Sequence, residues 1–110
     1  MNKEYLQDLP DHWQPAADIF SALGDTTRQR ILLLFEADEE LSIKDIAGQF
    51  DFVRTTIVHH LAVLEKAGVL SVRRSGKLAL YRTQPDRVLE AIEQLRVYIV
   101  ENLSKKDGTA

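Results

Sequence analysis

Between Gly68 and Pro85 the apolar pattern of this 110-residue chain changes period, and that change limits its fold more than any other feature. Up to Ala67 the apolar residues recur at the three- and four-residue spacing of amphipathic helices. In VLSVRRSGKLALYRT, Val69, Leu70 and Val72, and then Leu78 and Leu80, flank Ser75-Gly76 at hairpin spacing. From about Pro85 to Leu103 the helical period returns through Val88, Leu89, Ile92, Leu95, Ile99 and Leu103, joined by Val97, Tyr98 and Val100. The expectation is a mainly α fold with a small β-hairpin wing and a closing helix too apolar to show one face to water.

Punctuation residues divide the first half. Pro15 suits a first helical position, Ile19, Ala22 and Leu23 share a face, and Gly24 ends that segment. Asp25 is a good N-cap for a second helix carrying Ile31, Leu34 and Phe35, which runs to the acidic turn Asp38-Glu39-Glu40. Ser42 with Asp45 resembles a capping box, and Ile43, Ile46, Ala47 and Phe50 make one stripe, so a short third helix should end near Phe50. After a break at Asp51-Phe52 a fourth helix runs to about Ala67, where Gly68 supplies a left-handed stop. The chain is too short for two independent cores, so one domain is expected: an arm over 1–13, a core over 14–83, a terminal helix over 85–103 and a flexible tail over 104–110.

The fourth helix has two faces. With Ile57 on the core side, Leu61 and Leu64 join it, while Arg54, Thr55, Val58 and His59 fall in an arc about 120° away. Such an arc can enter a duplex groove: Arg54 suits the two acceptors of guanine, Thr55 and His59 give or accept one bond each, Val58 fits a thymine methyl, and Thr56 suits a phosphate. An ordinary exposed helix face would also carry Arg and Thr; Val58, apolar and β-branched on the outer side, argues for a partner. His59 and His60 diverge by about 100° and do not easily share one metal ion, and His60 reads as a packed histidine.

Charge distribution supports the same partner. Although the net charge is −3, residues 51–82 hold six cations (Arg54, Lys66, Arg73, Arg74, Lys77, Arg82) against Asp51 and Glu65, a local +4 that leaves −7 elsewhere. A basic segment on an acidic body is the footprint of a nucleic-acid reader. The absence of cysteine excludes disulfides, thiolate metal sites and thiol redox switching. No apolar run approaches the ~20 residues that cross a bilayer, and MNKEYLQDLPDHW lacks a signal-peptide layout, so no membrane partner and a cytoplasmic location are expected. No Gly-rich phosphate loop, nucleophile with a base or catalytic metal set is present, which argues against an enzyme and against a cofactor.

Three segments, ALGDTTRQRILLLF, LSIKDIAGQF and TTIVHHLAVLEKAGVLSVRRSGKLALYR, together resemble the ArsR/SmtB group of bacterial winged helix-turn-helix regulators, over roughly residues 16 to 100. The resemblance implies a dimer that places two reading helices on an inverted repeat of double-stranded DNA and represses an operon until an effector loosens it. It also implies DNA contacts at Arg54, Thr55, Thr56, Val58 and His59 of the helix and at Arg73, Arg74 and Lys77 of the wing. The terminal helices are expected to pair, giving a homodimer interface of Trp13, Ile19, Val88, Ile92, Leu95 and Ile99.

The chain departs from the family pattern in three places. Thr26 replaces a frequent proline at the start of the second helix, where no intrahelical donor is needed. Val53 and Val58 stand where serines are usual, which alters capping and base preference. The familiar metal-sensing cysteines are missing from Leu41-Ser42-Ile43-Lys44-Asp45, and nothing from Asp86 to Leu103 is histidine. Asp86, Glu90, Glu93 and Glu101 alone would make weak transition-metal sites, so a typical metal sensor is not expected. The effector is left open. The rival reading is a winged-helix adaptor whose basic patch meets an acidic protein.

Overall fold

The computed structural model describes residues 1–104, so the tail expected over 104–110 lies, apart from Ser104, outside the described residues. Helices α1 (Gln14–Leu23) and α2 (Thr26–Leu34) come first, followed by strand β1 (Leu41–Ser42), α3 (Ile43–Ala47) and α4 (Arg54–Ala67). The wing strands β2 (Leu70–Ser75) and β3 (Leu78–Thr83) then lead into α5 (Pro85–Tyr98). A 3₁₀ turn at Asp11–Trp13 precedes α1, and a π turn at Ile99–Leu103 ends the chain's last helix. The result is a helix-turn-helix with a β-hairpin wing.

Local chemistry accounts for most boundaries. Asp25 caps α2 by accepting from the Arg28 backbone N–H at 3.1 Å, a bond that holds its carboxyl below the usual range. At α3 the capping box is reciprocal: Ser42 Oγ accepts from Asp45 N–H at 3.1 Å, while Asp45 Oδ2 accepts from Ser42 N–H at 2.9 Å. The Ser42 backbone bond, then its hydroxyl, lower the Asp45 pKa. Helix α3 is shorter than its stripe suggested; Gly48 to Phe50 leave the helix in a turn that still packs Phe50 against the core. Gly68 closes α4 at φ 88°, the left-handed conformation expected of it.

The sheet has three strands in the order β1-β3-β2, all antiparallel. The hairpin register runs from Leu70↔Thr83 to Ser75↔Leu78, which makes Gly76-Lys77 the two-residue loop, one position later than the sequence pattern placed it. Gly76 carries φ 59° and Lys77 does not have a positive φ, the sign pattern of a type II′ turn with glycine first. Strand β1 was not expected from the sequence; Leu41 pairs with Tyr81 and Ser42 with Leu80, adding a third strand beside the wing.

The core is built from Ile31, Ile46, Ile57, Leu61, Leu64, Val69 and Leu70, all essentially inaccessible to solvent. Each contributes about 2 kcal/mol of burial, and together they fix α4 against α2, α3 and the base of the wing. Ala16, Ile19 and Ala22 of α1 and Ala91 of α5 complete the same cluster.

Candidate nucleic-acid interface

Helix α4 presents two faces that share no residue. Ile57, Leu61 and Leu64 are fully buried, whereas Arg54, Thr55, Val58 and His59 are exposed; Thr56 and His60 lie at the boundary, half-buried. The anchored face holds the helix axis, and the other four side chains stand together in solvent. Val58, 39% exposed, is an apolar β-branched side chain that its own chain leaves partly open to solvent. Ahead of them Val53 occupies the N-cap and offers no side-chain bond, so the first turn of α4 is held only by backbone bonds from Thr56 and Ile57 to the Val53 carbonyl.

The turn into α4 is braced by aromatic contacts. Phe50 and Phe52 stack with centroids 6.1 Å apart, and the Arg30 guanidinium lies 5.1 Å from the Phe50 ring centre. Arg30 did not figure among the sequence candidates. Its place three residues before Leu33, on a helix whose apolar stripe faces elsewhere, gave no signal.

In the wing, the hairpin register assigns each cation to a face, because directly opposed residues of an antiparallel pair share a side. Leu70, Val72 and Arg74 of β2 stand with Thr83, Tyr81 and Ala79 of β3 on the inner face, where Leu70 and Ala79 are buried. Burial, and then the Glu65 carboxylate of α4, push the Tyr81 hydroxyl up, while the Arg74 cation pulls it down. Ser71, Arg73 and Ser75 stand with Arg82, Leu80 and Leu78 on the outer face. Lys77 sits in the exposed loop.

Two of the basic residues are balanced by acids distant in sequence. Glu40 accepts from Arg73 Nε at 2.6 Å and Nη2 at 2.9 Å, a bidentate pair. Arg82 Nη2 approaches Asp38 Oδ1 and the Asp38 carbonyl oxygen, both at 3.4 Å. The acidic turn therefore packs against the wing instead of pointing away from it, which corrects the picture of a basic segment segregated from the acidic body. Hydrogen bonding from Arg73 keeps the Glu40 carboxyl below its ordinary range and raises Arg73 in turn. Arg54, Arg74 and Lys77, by contrast, have no ion-pair partner among the described residues.

The residues expected at a dimer interface separate into two groups. Ile92, Leu95 and Ile99 are exposed at 49%, 38% and 39%, and with Leu89 and Leu103 they form an apolar strip along α5 and the turn after it. The terminal helix thus does leave an apolar face open to solvent within one chain. Ile19, in contrast, is buried in the chain's own core, and Val88 packs half-buried against that core. Trp13 is half-buried, edge-on to Tyr98 at 5.6 Å, and Gln94 Nε2 donates to the His12 carbonyl at 3.2 Å, so the end of the N-terminal arm docks on α5. Among the described residues no three His, Asp or Glu side chains gather as a metal site, and no helix is long and apolar enough to cross a membrane.

The arrangement is matched by known proteins. A profile described as a helix-turn-helix domain covers residues 23–73. The chain is 36% identical over 83 residues to an uncharacterized HTH-type transcriptional regulator of Methanocaldococcus jannaschii, spanning 76% of this chain and 93% of that one. The transcriptional repressor SdpR of Bacillus subtilis is 30% identical, over 74% of this chain and 90% of its own length. Two further curated relatives are longer, and the chain spans 64% and 53% of them. Among solved structures, the homodimeric winged helix-turn-helix DNA-binding domain from Mycobacterium bovis, a possible ArsR-family regulator, superposes with a TM-score of 0.64 at 25% identity. That match covers 89% of this chain and 94% of the other.

Proposed function

Because this chain belongs to the ArsR/SmtB family of winged helix-turn-helix transcriptional regulators, we propose that it is a homodimeric repressor that reads an inverted-repeat operator in duplex DNA. It is a DNA-binding regulator and not an enzyme. Helix α4 enters the major groove, with Arg54, Thr55, Val58 and His59 addressing base edges and Thr56 a phosphate. Arg74 and Lys77 meet the sugar-phosphate backbone from the wing, and Arg73 is available to it only when it leaves Glu40. The observation that carries this reading is the division of α4 into a wholly buried Ile57-Leu61-Leu64 stripe and an exposed Arg54-Thr55-Val58-His59 face.

Self-association follows from the strip Leu89, Ile92, Leu95, Ile99 and Leu103. At about 25 cal/mol per Å² of apolar area covered, a second copy of the strip would contribute several kcal/mol, while leaving it wet invites aggregation. Pairing α5 with α5 sets two reading helices about one duplex turn apart. The homodimeric Mycobacterium bovis domain supports the pairing, and the likeness to SdpR supports repression as the output. The lack of histidine or cysteine in the sensing segments supports regulation by something other than a transition metal bound there. The protein is expected to work in the cytoplasm, beside its DNA.

The test is a titration of the DNA upstream of its own gene, followed by fluorescence anisotropy at several salt concentrations. The expected result is saturable binding at nanomolar to micromolar protein, weakening steeply with salt. No binding to any duplex at low salt would remove the proposal.

A further inference from the structure

Arg73 shares the outer face of the wing with Arg82, and Glu40 holds it with the bidentate geometry that an arginine also offers a phosphate. Both contacts, 2.6 Å and 2.9 Å, lie near the short, charge-assisted range, and the two carboxylate oxygens use Nε and one terminal nitrogen of the fork. The Arg73 side chain is nevertheless 59% exposed, so an oxygen anion arriving from solvent can reach the guanidinium without unfolding anything. Glu40 is also fixed in place. It immediately precedes β1, whose Leu41 and Ser42 are pinned to Tyr81 and Leu80, and the turn before it is set by Asp38 at φ 60°, a left-handed conformation that Asp adopts more readily than most residues. The sheet thus presents a carboxylate to the guanidinium in a preset position.

We propose that Glu40 acts as an intramolecular substitute for a DNA phosphate, occupying Arg73 in the free protein and competing with the duplex for it. This rests on the DNA-binding reading above. Glu40 is then an affinity-setting residue that touches no DNA: it weakens the wing's grip and lowers the number of phosphates the interface neutralises. Exposed ion pairs of this kind are weak, so the exchange is readily reversible. Arg74, on the other face and without an acidic partner among the described residues, is outside the competition.

The experiment compares wild type, Glu40→Gln, Glu40→Ala, Arg73→Ala and the Glu40→Gln/Arg73→Ala double variant on a fluorescein-labelled random-sequence duplex across a salt series, with thermal melts to confirm folding. Both Glu40 variants are expected to bind about two- to fivefold more tightly than wild type at moderate salt. The slope of log K against log salt should steepen by about 0.9, the signature of one more neutralised phosphate. In the Arg73→Ala background the Glu40→Gln change should do nothing. Equal or weaker binding by folded Glu40 variants would instead make the pair a strut for the wing and overturn the proposal. Tightening that persists without Arg73 would overturn it as well, since plain charge repulsion then suffices. Wild type that binds and responds to salt while the Glu40 variants match it defeats this inference alone; wild type that ignores DNA defeats the functional reading beneath it.

Discussion

Arg28 of α2 places Nη1 3.3 Å from Nδ1 of His60, joining the second helix to the inner edge of the reading helix. Arginine has only donors, so Nδ1 is the acceptor in this contact. The same guanidinium donates from Nε to the Ala22 carbonyl at 2.6 Å and lies 4.0 Å from Asp25 Oδ2. One half-buried cation thus ties the end of α1, the cap of α2 and the flank of α4.

Arg28→Ala should cost about 2 kcal/mol of stability, because it strands the Ala22 carbonyl and His60 together. Urea unfolding of Arg28→Ala, His60→Ala and the double variant should show a coupling of about 1 kcal/mol between the two sites. Strictly additive losses would mean that the 3.3 Å approach carries no energy.

Replacing Ile92 or Ile99 by Asp puts a charge in the middle of the exposed apolar strip. Sedimentation should report a monomer, and operator affinity should fall by about 100-fold or more as the linkage between two reading helices is lost. A folded monomer that keeps full affinity would show that the strip serves something other than pairing.

Arg54 and Lys77 should fail differently when truncated. Arg54→Ala is expected to lose about 1–3 kcal/mol of discrimination at one base position while leaving the salt response nearly intact. Lys77→Ala should weaken all sequences alike and flatten the salt slope by about 0.9. Competition binding with single-base operator variants separates the two, and identical profiles would contradict the assignment of base and backbone roles.

Acid should loosen the caps. Asp25, Glu40 and Asp45 all have carboxyls lowered in the folded state, the first and third by backbone N–H donors and Glu40 by Arg73. Their stabilisation is complete above the unfolded carboxylate value of about 4 and disappears as pH falls through the lowered folded values. Thermal melts should therefore be flat near neutrality and fall below about pH 4. Ser42→Ala removes one of the two bonds to Asp45, so it should cost about 1 kcal/mol at neutral pH and make the acid limb shallower.

Gly68→Ala meets two obstacles: φ of 88°, and a Cβ position 3.1 Å from the Arg87 Cδ. A loss of about 1–2 kcal/mol is expected from the backbone alone. Adding Arg87→Ala should recover only the steric part, measurable by chemical denaturation.

Much of this fold could be read from residues whose effect is local. Asp25, the Ser42/Asp45 box and Gly68 each mark a boundary through bonds within a few residues, and Ile57, Leu61 and Leu64 announced the buried side of α4 by spacing alone. Strand β1 was hidden because two residues carry no period; Leu41 and Ser42 are a strand only through β3, far along the chain. The Glu40–Arg73 pair joins residues 33 apart and depends on the sheet order, which neither residue signals. Ile19 looked available for a partner because a helical stripe does not say whether its cover comes from the same chain, and here α1 is covered by the chain's own core. The one-residue shift of the hairpin loop turned on which residue beside Gly76 completes the turn, and Lys77 does.

Ser42 closes a ladder rung with Leu80 and, as the same residue, caps α3. No hinge can lie between the wing and the helix-turn-helix at that point, since any slack would have to break a sheet pairing or a cap. A force that tilts the hairpin is therefore passed through Ser42 into the first turn of α3.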